Sequence, residues 1–211
     1  MSAAPPRFLH FGGDGDYLTG HGAHDAAATL LLVSPPFEEA NRCRAIMAAV
    51  QRGLTAERRA SWLLDLPGTG DSVRAIETVR LACWRDAVAA AARACGASHV
   101  AAWRGAALVD DAAGLPRWRL APLAGAALLR DLERPVPGAP RASGWALPAA
   151  LSEALRAAEP AGAARVVRLA GDPRPADAVI AAAPPWRRAE PARDDALAAA
   201  IVADLGAWIE P

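Results

Sequence analysis

Apolar and polar positions change rhythm several times along the chain, and each change predicts an element. Arg7 to Phe11 and Tyr17 to Thr19 flank a Gly-Gly-Asp-Gly-Asp run at 12–16, the pattern of an antiparallel hairpin. Thr29 to Val33 (TLLLV) is continuously apolar and closed by Pro35 and Pro36, which predicts a strand covered on both faces. Phe37 to Gly53 reads as a helix. Ala60 to Leu66 reads as a strand with a turn at Gly68, Gly70 and Asp71, and Arg74 to Cys95 as a long amphipathic helix stopped at Gly96. His99 to Trp103 is a third buried strand, with Gly105 to Ala113 as the helix behind it. Farther on, Trp118 to Leu132 reads as a helix and the proline-rich stretch Arg134 to Ser143 as a loop. Leu147 to Ala158 is helical, Arg165 to Leu169 and Val179 to Ala183 are strands, and Asp194 to Ile209 is a closing helix capped by Asp194 and Asp195.

Strands and helices that alternate in this way predict one α/β domain over residues 1–211, a mostly parallel sheet with helices on both faces. Ligands of such sheets bind beyond the carboxyl ends of the strands. The loops that matter are therefore 34–41, 66–73, 103–106, 170–177 and 184–190.

Composition removes several chemistries. The 23 basic residues balance 23 acidic ones, so the basic excess that nucleic acid asks for is missing. Every one of those cations is arginine, which excludes a phosphate-loop lysine, a Schiff base and a lysine general base. Alanine fills about a quarter of the chain and favours helices. No apolar run approaches the roughly 20 residues of a membrane span, and no secretory signal pattern opens the sequence. Cys43, Cys83 and Cys95 have no metal-ligand spacing and make an odd count, so a reduced, cytoplasmic setting is expected, with neither metal nor cofactor. His21-Gly-Ala-His24-Asp25 lacks a third distant ligand and reads as a surface turn.

Three loops carry a resemblance. Asp65-Leu-Pro-Gly-Thr-Gly-Asp-Ser72, His99-Val-Ala-Ala-Trp-Arg-Gly-Ala106 and Gly171-Asp172 resemble the early turn, the nucleophile elbow and the acid position of α/β-hydrolases. Pro35-Pro-Phe-Glu-Glu-Ala-Asn-Arg42 resembles the P-P-F-x-E-E-x-N segment of the exosortase A system-associated hydrolases, the "hydrolase 2" group. Gly144-Trp-Ala-Leu147 and Pro185-Trp186 with Glu190 add to it, and the resemblance runs from about Leu30 onward. The chain has one residue fewer in PPFEEAN than that pattern and is shorter around 110–140. The resemblance implies a three-layer α/β-hydrolase-like sandwich with a short N-terminal hairpin and a reduced or absent cap. It also implies a bacterial protein tied to exopolysaccharide production and PEP-CTERM sorting.

The residues at the working positions do not follow the hydrolase pattern. Arg104 stands where the resemblance puts the nucleophile, and a guanidinium has no lone pair with which to attack a carbonyl. The histidines are His10, His21, His24 and His99, so none follows the elbow, and the slot for the base reads Ala183-Pro-Pro-Trp186. Asp172 is left as a remnant triad acid. Ser72 reads as a turn cap, and Ser98 and His99, adjacent on a strand, are expected to point to opposite faces.

A binding site is the alternative to catalysis: Arg104, the helix start at Gly105, the loop residue Phe37, Glu38, Glu39 and Trp186 at the pocket mouth. Its ligand would be a small anion or a partner protein. Against it stands an internal ion pair of Arg104 with Glu38, Glu39 or Asp172. Two further readings stay open. One is a hydrolase in which Asp71 or Glu39 activates water, and the other an interaction subunit forming homo-oligomers or hetero-oligomers with a neighbouring hydrolase. Asp110 and Asp111 read as a solvated carboxylate pair.

Overall fold

The computed structural model describes residues 6–11, 16–22, 26, 28–133, 145–188 and 190–210. The Gly12–Asp16 turn up to residue 15, His24, Asp25, the 134–143 loop and Gly144 lie outside the described residues. Eight strands form one sheet: β1 (Arg7–His10), β2 (Tyr17–His21), β3 (Thr29–Val33), β4 (Ala60–Leu64), β5 (His99–Trp103), β6 (Arg117–Leu120), β7 (Arg165–Leu169) and β8 (Ala178–Ile180). Their spatial order is β1-β2-β4-β3-β5-β6-β7-β8. β1 and β2 form the expected antiparallel hairpin, β2 runs antiparallel to β4, and every later pair is parallel.

The apolar pattern of β3 follows from burial on two sides. Leu31 and Val33 enter one core with α2 (Leu81–Ala94), α3 (Gly125–Leu132) and α4 (Ala149–Ala157). Leu30 and Leu32 enter the other with α1 (Glu38–Ala56) and α5 (Asp195–Ile209). Val100 and Ala102 of β5 face the first core, Ala101 and Trp103 the second. This is the three-layer sandwich implied by the sequence, its central strands apolar on both sides as parallel strands between helices must be. α1 and α5 cross closely at Gly53, where a Cβ would lie 2.7 Å from Val202 Cγ2. Asp194 caps α5 by accepting the Leu197 N–H at 3.0 Å. No helix among the described residues is long and apolar enough to cross a membrane.

Three elements differ from the sequence reading. The helix expected from Arg74 begins at Leu81, behind a 3₁₀ turn at Ile76–Thr78. The helix expected over Gly105–Ala113 is two 3₁₀ turns, Arg104–Leu108 and Asp110–Ala113. The single helix expected over Trp118–Leu132 is strand β6, a loop and the shorter α3.

β6 reads RWRL, and its physics explains the difference. Trp118 and Leu120 face the second core, while Arg119 on the opposite face is 3% exposed. Its guanidinium donates to both Asp110 oxygens at 2.7 Å and to the Ala161 and Gly162 carbonyls. Asp110, expected in solvent, is fully buried by that pair, and Asp111 takes two bonds from Arg85 of α2 at 2.8 Å. Arginine at an inward strand position gives a polar beat that periodicity reads as a helix's outer face. The two Arg–Asp pairs also tie the second 3₁₀ turn, Asp110–Ala113, to β6 and α2.

Candidate functional site

The site lies at the carboxyl ends of the parallel strands, where β5 meets Arg104. Arg104 follows Trp103 in the left-handed region, at φ 57°, a conformation that costs a non-glycine residue energy and gives the chain its sharp turn out of the strand. A Cβ at the next residue, Gly105, would come within 2.8 Å of Leu128 Cδ2 and 3.1 Å of Pro36 Cγ, so a larger residue there requires Leu128 to shift. Opposite, the chain leaves β3 through Pro35 and Pro36 and turns at Phe37, also left-handed at φ 64°, into α1. That entry puts Glu38 and Glu39 in the first turn of α1, where the helix dipole favours a negative charge.

Of the partners expected for Arg104, it is Glu39 that meets it. Arg104 Nε donates to Glu39 Oε1 at 3.0 Å and Oε2 at 3.2 Å, and Nη2 donates to Oε1 at 2.8 Å. Nη1 has the Ala121 carbonyl at 3.4 Å, and Nη2 has Asp131 Oδ2 at 3.5 Å. Trp186 lies over the guanidinium, 4.4 Å from its ring centre, a cation–π stack. Trp186 is fixed in turn by Arg42, which donates to its carbonyl at 2.9 Å. Arg104 is 5% exposed and Trp186 6%. Burial pushes the Glu39 carboxyl above its ordinary pKa and the Arg104 contact works against that rise. Cys43, one turn along α1, is buried, and burial first and Glu39 second push its thiol upward, away from the reactive thiolate.

The other expected residues are spread around this pair. Phe37 packs its ring against Trp84 at 5.8 Å and Trp145 at 5.2 Å. Glu38 is half-buried and its carboxylate has no partner among the described residues. Asp172 follows β7, but its hydrogen bonds go to Arg174 (2.7 and 2.9 Å) and Arg168 (3.0 Å), and none reaches Arg104 or Glu39. The bonds from Arg174, then those from Arg168, hold the Asp172 carboxyl well below the usual carboxylate range. Because no α-helix begins at Gly105, the expected helix dipole behind the elbow is missing, while the first turn of α1 carries Glu39 to Arg104.

Three contributors were not visible in the sequence: Ala121, Asp131 and Arg42. The first two sit in the stretch read as one helix, and their approach to Arg104 depends on β6. Arg42 lay inside a quoted motif, but nothing in its spacing announces a bond to Trp186 across 144 positions.

Ser72 behaves as a turn residue, its Oγ accepting the Gly68 and Arg74 N–H groups. Ser98 and His99 contradict the expectation of opposite faces: Ser98 precedes the strand, so its Oγ reaches His99 Nδ1 at 2.9 Å. The couple sits at the start of β5, with His99 against Trp208 at 5.0 Å. Arg104 is at the other end of that strand, about 16 Å away at 3.3 Å per residue.

Among solved structures the chain is similar to the esterase domain of a Rhodothermus marinus protein, at 14% identity and a TM-score of 0.57 over 97% of this chain and 96% of that one. It is similar to mouse alpha/beta hydrolase domain-containing protein 10, at 14% identity and a TM-score of 0.53 over 79% and 77% of the two chains. A third is Est1E from Butyrivibrio proteoclasticus with ferulic acid bound, at 13% identity and a TM-score of 0.54 over 77% of each chain. No family model matches the sequence, and no curated protein does. Strand order, the turn at Arg104 and these similarities agree: the chain has the α/β-hydrolase fold.

Proposed function

We propose that this α/β-hydrolase-fold protein works by binding and not by hydrolysis, in the exosortase-linked exopolysaccharide systems its PPFEEAN segment resembles. One observation carries the reading. At the elbow, where a nucleophile would need a free oxygen or sulfur, stands a guanidinium held by Glu39 at 2.8–3.2 Å and covered by Trp186. No histidine follows it in the sequence to act as base, and Asp172 is committed to two arginines. The binding face is the set Arg104, Gly105, Phe37, Glu38, Glu39 and Trp186, its ligand a small anion or an acidic patch of a partner protein, and its setting the cytoplasm.

The test is turnover of a panel of acyl esters by pure protein, beside Arg104→Ala and Asp172→Ala. No turnover above buffer in any of the three is expected. Activity that survives both substitutions overturns the reading. If that activity then disappears in Glu39→Gln or Asp71→Asn, the protein is instead a hydrolase with a carboxylate that activates water.

A further inference from the structure

Arg104 has five N–H donors in a fixed fork, and counting their partners separates the resident anion from its surroundings. Nε–H and one Nη2–H go to Glu39. The remaining contacts, to Asp131 at 3.5 Å and Ala121 at 3.4 Å, are at the limit of hydrogen bonding. The guanidinium is therefore neutralised at close range by a single side chain, which comes from the first turn of a 19-residue helix whose dipole also attracts an anion. Asp131 is 38% exposed and Glu39 13%, so the edge of the fork toward Asp131 is the one nearest solvent.

We infer that the elbow is a carboxylate receptor whose resident carboxylate is Glu39, and that an incoming small carboxylate binds Arg104 by taking the place of Glu39. The inference rests on the binding reading above. The Glu39 geometry specifies the ligand class. Nε and Nη2 converge on Glu39 Oε1 at 3.0 and 2.8 Å, with Oε2 3.2 Å from Nε; a contact through both nitrogens of one fork edge fits a carboxylate, and the Trp186 ring stacks on the fork. An intramolecular carboxylate competes at high effective concentration, so wild-type protein responds to a free acid only weakly.

The experiment removes the resident group. Glu39→Ala leaves a hole of carboxylate shape beside a buried cation, and acetate and propionate are titrated against its thermal unfolding, with chloride at equal ionic strength as control. A saturable rise in midpoint of roughly 5 °C with either acid is expected, and none with chloride or in the Glu39→Ala, Arg104→Met double variant. If Glu39→Ala does not fold, Glu39→Asp serves. Its charge is kept one methylene short, and its midpoint is expected to rise more with acetate than that of wild type. A rise that chloride matches, a rise that persists without Arg104, or no rise in the variant that folds overturns the inference. Ester turnover by wild-type protein is a separate readout. Turnover together with the acetate response would remove the binding reading and leave the receptor in place.

Discussion

Two guanidinium–carboxylate pairs sit on adjoining strands of the same sheet, and they differ in what completes them. Arg119 on β6 faces Asp110, which is wholly buried, and spends its other donors on the Ala161 and Gly162 carbonyls. Arg104 at the end of β5 faces Glu39, which keeps some exposure, and has as its other polar neighbours the Ala121 carbonyl at 3.4 Å and the partly exposed Asp131 at 3.5 Å. The first pair is closed by backbone and anchors the 3₁₀ turn Asp110–Ala113 behind the elbow. The second is closed mainly by side chains, a tryptophan and a glutamate, with the Ala121 carbonyl at 3.4 Å as its backbone contact. The first pair is part of the scaffold, whereas the second is the one for which we infer an exchange of carboxylate.

The comparison breaks most visibly at Asp110. Asp110→Asn leaves the Arg119 charge stranded in the core and is expected to cost about 3–5 kcal/mol. For a chain of this size that lowers the thermal midpoint by roughly 10 °C, read by calorimetry. Replacing the pair together, Asp110→Leu with Arg119→Met, is expected to return most of the loss, because no unpaired charge remains. A double variant as unstable as the single one would mean that the carbonyl contacts, not the charge, hold the turn.

At the elbow a smaller effect is expected from Trp186→Leu, about 2 kcal/mol, from lost ring packing and the cation–π contact. The same variant is expected to sharpen the difference between the pairs by increasing the response of Arg104 to added acetate, measured as a shift in midpoint.

Acidification separates the carboxylates by sign. Asp172 is held low by Arg174 and Arg168, so its stabilisation is complete above the ordinary aspartate pKa of about 3.9 and is lost progressively as pH falls from there through its much lower folded value. Asp111 and Asp204 are lowered too, by Arg85 and Arg165 respectively, and act in the same sense. Glu39 is raised by burial, so its contribution runs the other way and favours folding on the acid side. Asp172→Asn is therefore expected to be less stable than wild type at neutral pH and to converge with it as pH drops below about 3, in urea titrations at each pH. The smallest effect is expected at Arg85→Ala, under about 1 kcal/mol, because that guanidinium is 43% exposed.

The order of elements was readable wherever burial on both faces left an unbroken apolar run, as in TLLLV and HVAAW. It failed at RWRL, because a buried arginine breaks that signal and its aspartate lies in a segment of a different predicted type. The elbow itself was readable: Arg104, Glu39 and Trp186 all came from motifs that the strand ends bring together. Which of three carboxylates would meet Arg104 was not readable, since Glu38 and Glu39 differ only by the rotation of α1. Nor was Asp131, whose position depends on the strand missed before it. Ser98 was misjudged because alternation applies inside a strand, and Ser98 is one residue outside β5.

The central claim is that no nucleophile works at this elbow, and covalent labelling tests it most directly. Pure protein is incubated with a fluorophosphonate, which reacts with activated serines, and its intact mass is measured. The account predicts an unmodified mass. A single stoichiometric adduct, mapped to Ser72 or another serine of the chain and lost on heat denaturation before labelling, would contradict it.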